Sequence, residues 1–285
     1  MGSSSRNAAH KHVDKKLASS GLYSPFWPNV DHKNLKWEID ARIDDPDRIY
    51  QATSNLCGMA SFFNSLAWDD PLCYAYYLCS MYRTGSAYLG NSTSSPIVSA
   101  GKLTRSSKVP PTMASADWIA LASLRDKCNV LLGYSYNMGV PGLKDIPLLG
   151  FFGTPNFVEP VGGISWPHDV ANAMLAVGYK VASKAAINQV ADASAMDQAN
   201  AYFDAGWKVL LLIHTGIEDD DAGKKTFAPN HWVRLYARIE TKGKGVRAWV
   251  HDSATGSSHW LPTSGKFIDR SVFRAHYYGF VAGRK

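Results

Sequence analysis

The stretch His231-Trp-Val-Arg-Leu-Tyr-Ala-Arg-Ile-Glu240-Thr-Lys-Gly-Lys-Gly245-Val-Arg-Ala-Trp-Val-His-Asp252 decides the fold class. Val233, Leu235, Ala237 and Ile239 alternate with Trp232, Arg234, Tyr236 and Arg238, the period of two that a strand needs to present one face to a core. Lys242-Gly-Lys-Gly245 reads as a turn, and Val246–Asp252 as the second strand of a hairpin. Just upstream, Trp207–Thr215 is a near-continuous apolar run, as in a buried strand. Downstream, Ser258–Leu261 and Ser271–Val281 are predicted as further strands.

Before residue 207 the period is helical. Met59, Phe62, Phe63 and Leu66 recur on one helix face, with Ser54 and Asn55 as predicted N-caps of a helix starting near Cys57. Asp69-Asp70-Pro71 reads as a cap plus first-turn proline for a helix over 71–83. Ser115 is expected to cap a helix over 116–127; a helix from Pro167 should end at Gly178, and one over 195–205 at Gly206. Residues 84–113 and 137–167, rich in Gly, Ser and Pro, are expected to be long loops. The second carries Phe151, Phe152 and Phe157, and a loop of that length is usually functional. Residues 1–50 are expected to be an irregular arm packed on the domain. Helices first and an antiparallel sheet afterwards is an α+β pattern. The expected organisation is thus an N-terminal arm (1–50) and one domain over 51–285, its helical half ending near 206 and its sheet half starting near 207.

Three separated places carry chemistry. Cys57 sits at the predicted start of a helix, where unsatisfied backbone N–H groups and the helix dipole favour a thiolate. His231 opens one strand of the hairpin and Asp252 ends the other, so pairing should bring them together. A carboxylate there fixes the imidazole tautomer, and the imidazole can take the thiol proton. Gln51 lies six positions before Cys57, where a side-chain amide can donate to an oxyanion alongside the Cys57 N–H. Among the other histidines His214, ending a buried strand, is the main rival for the base, and His251 should point to the sheet face opposite Asp252. Cys73, Cys79 and Cys128 read as core residues.

Composition limits the alternatives. With 46% hydrophobic and 12% aromatic residues the chain can bury a core, so wholesale disorder is excluded. A net charge of +6 spread along the chain gives no nucleic-acid patch. No apolar run reaches the ~18 residues of a membrane span, and no signal peptide is visible at the N-terminus. Four cysteines do not make a disulfide framework. CxxC and HExxH are absent and the single HxH, His10-Lys11-His12, lies in the N-terminal arm, so neither metal nor cofactor is expected; Asp219-Asp220-Asp221 lacks an EF-hand pattern and reads as a solvated turn.

The motifs Gln51-Ala-Thr-Ser-Asn-Leu-Cys57-Gly-Met-Ala, Asn230-His231-Trp-Val and Trp249-Val-His-Asp252-Ser resemble those of the papain-like cysteine peptidases, most of all the bacterial double-glycine (C39-like) branch. The resemblance implies a papain-like fold, Cys57 as nucleophile, His231 as base, Asp252 as its orienter and Gln51 as oxyanion donor. It also implies a protein or peptide substrate with small residues, such as Gly-Gly, at the cut, with Gly58 and Trp232 lining a narrow cleft. The chain further looks like papain-like toxin domains that bacteria deliver into competitors without a Sec signal, acting in the target cytoplasm and paired with an immunity protein. The same triad also serves deamidases, transglutaminases and peptidoglycan amidases, and a decayed scaffold would be an interaction protein without enzyme activity.

Overall fold

The structure, a computed structural model, describes residues 3–18, 23–52, 54–90, 97–128, 165–186, 189–192, 194–218 and 229–285. It is an α+β protein. The first half holds helices α1 (Ser3–Leu17), α2 (His32–Asp44), α3 (Cys57–Asp69), α4 (Pro71–Thr84), the short α5 (Lys102–Ser106), and α6 (Ser115–Asp117), which runs through a π-helical turn at Trp118–Ala122 into α7 (Ser123–Cys128). Helices α8 (Pro167–Ala176) and α9 (Ser194–Asp204) follow, and α10 (Arg270–Ala275) lies near the C-terminus.

Strands β1 (Ser86–Tyr88) and β2 (Ile97–Ser99) form a separate two-stranded ribbon. The main sheet contains β3 (Lys180–Ala185), β4 (Lys208–Ile213), β5 (His231–Leu235), β6 (Glu240–Lys242), β7 (Gly245–Asp252), β8 (Ser257–Leu261), β9 (Ile268–Asp269) and β10 (Tyr277–Arg284). Its path is β3-β10-β4-β5-β7-β6, with β8 and β9 also on β7, and every pairing is antiparallel.

Both faces of this sheet are covered, which explains the continuous apolar run of β4. Leu210 and Leu212 join the core under the helical half, while Val209, Leu211 and Ile213 join a second core with Phe273 and Phe280. Helix α3 is buried on every side from Cys57 to Ala67. Its apolar face (Met59, Phe62, Phe63, Leu66) enters the helical core, and its polar stripe turns to the sheet: Ser61 Oγ donates to Trp232 O (3.4 Å) and Asn64 Oδ1 accepts from Arg234. Such a stripe would be costly under a sheet unless each group had a partner. Asn64 also donates from Nδ2 to Asp47 Oδ1 (3.0 Å), which accepts from Trp68 Nε1 (2.9 Å) as well.

Several expectations change. Residues 1–50 are largely helical rather than irregular: α1 packs on α4 through the narrow stripe Ala9, Val13 and Leu17. Residues 84–113 hold the β1–β2 ribbon and α5 rather than loop alone. Ser271–Val281 is not one strand, because Asp269 accepts from Ser271 N (2.8 Å) and starts α10 before β10 begins. The strand predicted over His231–Glu240 stops at Leu235, where Tyr236 N and Ala237 N both turn to Trp249 O. The sheet also recruits β3 from the half read as helical. Residues 137–164 and Asp219–Asp221 lie outside the described residues. Among the described residues no helix is long and apolar enough to cross a membrane.

Candidate active site

Cys57 is the first residue of α3, and its position depends on an N-terminus without a side-chain cap. Ser54 and Asn55 do not cap it: Leu56 takes the cap position, and the Ser54 hydroxyl donates back to the Gln51 carbonyl. The first-turn N–H groups therefore have no capping oxygen in front of them. A helix end left open beside a thiol can serve a developing negative charge.

The β5–β7 pairing brings the other two residues to it. Arg234 pairs with His251 and Leu235 with Val250, which sets His231 and Asp252 diagonally opposite on one sheet face. His231 Nε2 meets Asp252 Oδ1 at 2.8 Å, and Cys57 lies close enough to the same imidazole to favour its protonated form. With Nε2 engaged by the carboxylate, Nδ1 is the ring atom left for the sulfur. The group is nearly enclosed: Cys57 is 2%, Gln51 3%, His231 5% and Asp252 2% exposed.

Electrostatics follow from that enclosure. Burial alone would push the His231 imidazole down, but the Asp252 and Cys57 contacts outweigh it and lift it to about 10. Burial alone would raise the Asp252 carboxyl. The His231 contact and the Ala254 N–H donating to Oδ1 (2.7 Å) hold it below the usual carboxylate range. The pair is poised as imidazolium and carboxylate.

Gln51 is brought beside this pair by its backbone, its N–H donating to Ser253 O (3.0 Å) next to Asp252. Its side chain is buried and Oε1 has no hydrogen-bond partner. Ala52, between Gln51 and the helix, holds φ at +53°, a left-handed conformation that costs an alanine of order 1 kcal/mol. Two more buried oxygens near the site are also unpartnered, Ser165 Oγ and Ser253 Oγ.

Gly58 and Trp232 sit differently from the cleft walls expected of them. Trp232 has no exposed surface; it lies in the core and donates from Nε1 to Ser165 O (2.9 Å). Gly58 is the residue on which this unit closes: a Cβ there would stand 2.5 Å from Ser165 Cβ and 3.2 Å from Trp232 Cδ1. Both support the first turn of α3 from within. Ser165 was missed by sequence reasoning, since a lone serine far along the chain carries no pattern.

The rival His214 is elsewhere: its Nδ1 accepts from Gly216 N (2.9 Å) and its ring lies 5.9 Å from that of His276. His251 occupies the opposite sheet face, as alternation requires, stacked on Tyr236 at 5.4 Å. Cys73 and Cys79 are buried, and burial pushes both thiols up to about 12, in keeping with inert core residues. Among the described residues one group of metal-ligating type is brought together, Glu218, Asp252 and His259. No protein-family model, curated protein or solved structure matches this chain.

Proposed function

We propose that the protein is a cysteine peptidase on a papain-like scaffold. The observation that carries this reading is one imidazole, His231, held between a buried carboxylate at 2.8 Å and the sulfur of Cys57 at an uncapped helix N-terminus. In this mechanism the proton shared by Cys57 and His231 rests on the imidazole, and the Cys57 sulfur attacks the substrate carbonyl. The oxyanion is met by the Cys57 N–H and the Gln51 amide. Imidazolium His231 gives its proton to the leaving amine, and Asp252 keeps the ring oriented throughout. Water, activated by neutral His231, then hydrolyses the thioester and restores the thiol. In the same reading the substrate is a protein or peptide cut beside small residues such as Gly-Gly. The protein is a bacterial effector acting in the cytoplasm of a target cell and neutralised by an immunity protein.

The test is a survey of protein N-termini in a bacterial lysate treated with the wild type or with Cys57→Ala. New N-termini with the wild type alone, flanked by small residues, are the expected result. Their absence overturns the peptidase reading, and one-dalton shifts at Gln or new cross-links in the same samples would put a deamidase or a transglutaminase in its place.

A further inference from the structure

The carboxylate that orients His231 also belongs to a second constellation. Glu218, Asp252 and His259 each present a ligand atom, all within 4.8 Å of one another. They come from three places in the fold. Glu218 follows the 3-10 turn after β4, and its backbone carbonyl accepts from Thr263 N (3.1 Å) and Thr263 Oγ1 (2.7 Å). Asp252 ends β7. His259 stands on β8, with Asp252 paired to Ser257 and Val250 to His259, so residues 252 and 259 project from the same side of a fixed register. His259 Nε2 is enclosed and has no hydrogen-bond partner. Among the described residues the hydrogen bonds to the Asp252 side chain, from His231 and from Ala254 N, converge on Oδ1, so Oδ2 can take a cation without breaking the contact to His231.

We propose that Glu218, Asp252 and His259 bind a divalent transition-metal cation of the Zn2+ type, and that occupancy suppresses the Cys57 site. Two carboxylate oxygens and one imidazole nitrogen match the borderline-soft donor set that Zn2+ accepts, with a fourth position open to water. The rigid strand pair supplies two ligands and the Thr263-anchored turn the third, so little ordering is needed on binding. Asp252 is shared by the two constellations, so a cation held on Oδ2 ties the carboxylate that orients His231 into the metal's ligand set. The ligand positions 218, 252 and 259 fit no metal motif, which is why no pattern in the sequence shows them. The suppression half of the proposal rests on the peptidase reading; the binding half does not.

Titration of the full chain with ZnCl2 by isothermal calorimetry tests it. Wild type and Cys57→Ala should each bind one Zn2+ with equal affinity, whereas His259→Phe and Glu218→Gln should bind at least tenfold more weakly at unchanged melting temperature. In the lysate assay Zn2+ should inhibit the wild type, with His259→Phe cutting normally and escaping inhibition. Loss of binding in Cys57→Ala would place the metal on the thiolate and overturn the proposal, as would equal binding by wild type and His259→Phe. Cleavage by wild type and His259→Phe inhibited alike would overturn the suppression. Zn2+ binding lost in His259→Phe, in a protein that cleaves nothing, would sink the peptidase reading and leave the metal site standing.

Discussion

Replacing Arg42 by Ala tests how the first 50 residues are built into the molecule. Arg42 donates from Nε to Asp117 Oδ1 and from Nη2 to Asp117 Oδ2, both at 2.6 Å, and from Nη1 to Glu38 O at 3.0 Å. The side chains are 7% and 0% exposed, so the guanidinium stays charged against burial because Asp117 is there. Asp117 Oδ2 also accepts from Tyr50 N (3.1 Å), the residue before Gln51. Removing the arginine leaves a buried carboxylate with that single N–H, a defect that costs about 3–5 kcal/mol. For a chain of this size that corresponds to a fall in melting temperature of about 5–8 °C. Urea unfolding should show a lower midpoint with the slope unchanged. A double variant, Arg42→Met with Asp117→Asn, should recover at least half of the loss, because the buried charge is gone and the amide oxygen can still accept from Tyr50 N. A single variant within about 1 kcal/mol of wild type would refute the reasoning, and with it the claim that α2 is integral to the fold.

Other outcomes follow from the same geometry. Gly58→Ala must move Ser165 or Trp232 and so tilt the first turn of α3; we expect about 1–3 kcal/mol of destabilisation and a larger proportional loss of turnover, measured by urea unfolding and cleavage rate together. Gln51→Ala should lower the cleavage rate by about 10²–10³ while the melting temperature holds, because it removes one oxyanion donor. Gly279 has φ +108° in β10, and a Cβ there would strike the Lys184 backbone, so Gly279→Ala should cost more than about 1 kcal/mol in the same unfolding assay. For pH, His231 is raised from 6.5 to about 10 in the folded protein. Its contribution to stability is full below 6.5 and is lost as pH rises toward 10, so wild-type stability should fall across that window and His231→Gln should flatten the slope.

The bounds of α4 were legible because their signals are local. Asp70 accepts from Cys73 N (2.9 Å), Pro71 follows it, and Gly85 ends α4 at φ +68°, all chemistry readable from neighbours in sequence. His231 and Asp252 share a face by alternation, but they meet only because the break after Leu235 shifts the pairing by two residues, from the Glu240↔Arg247 register to Leu235↔Val250. The rest depended on long-range partners. Ser54 looked like a cap, but its hydroxyl is drawn to Gln51 O. The first turn of α6 is met by Glu38, whose Oε2 accepts from Ala116 N (2.9 Å) across 78 positions, so Ser115 caps nothing. Helix α1 escaped notice because three buried residues in fifteen make too thin a stripe. Trp232 was read as a cleft wall because it neighbours the base; alternation instead sends it into the core beneath α3.

The charge state of His231 tests the central claim most directly and needs no substrate. In histidine-labelled protein held in a chelator, with the resonance assigned by its loss in His231→Gln, the imidazole should stay protonated past neutrality and titrate near 10. In Asp252→Ala the midpoint should fall by at least about one unit, because a principal partner of the imidazolium is gone while burial persists. A wild-type midpoint at or below 6.5, unmoved by Asp252→Ala, would mean that His231 is an ordinary buried imidazole and that the three residues do not act as one site.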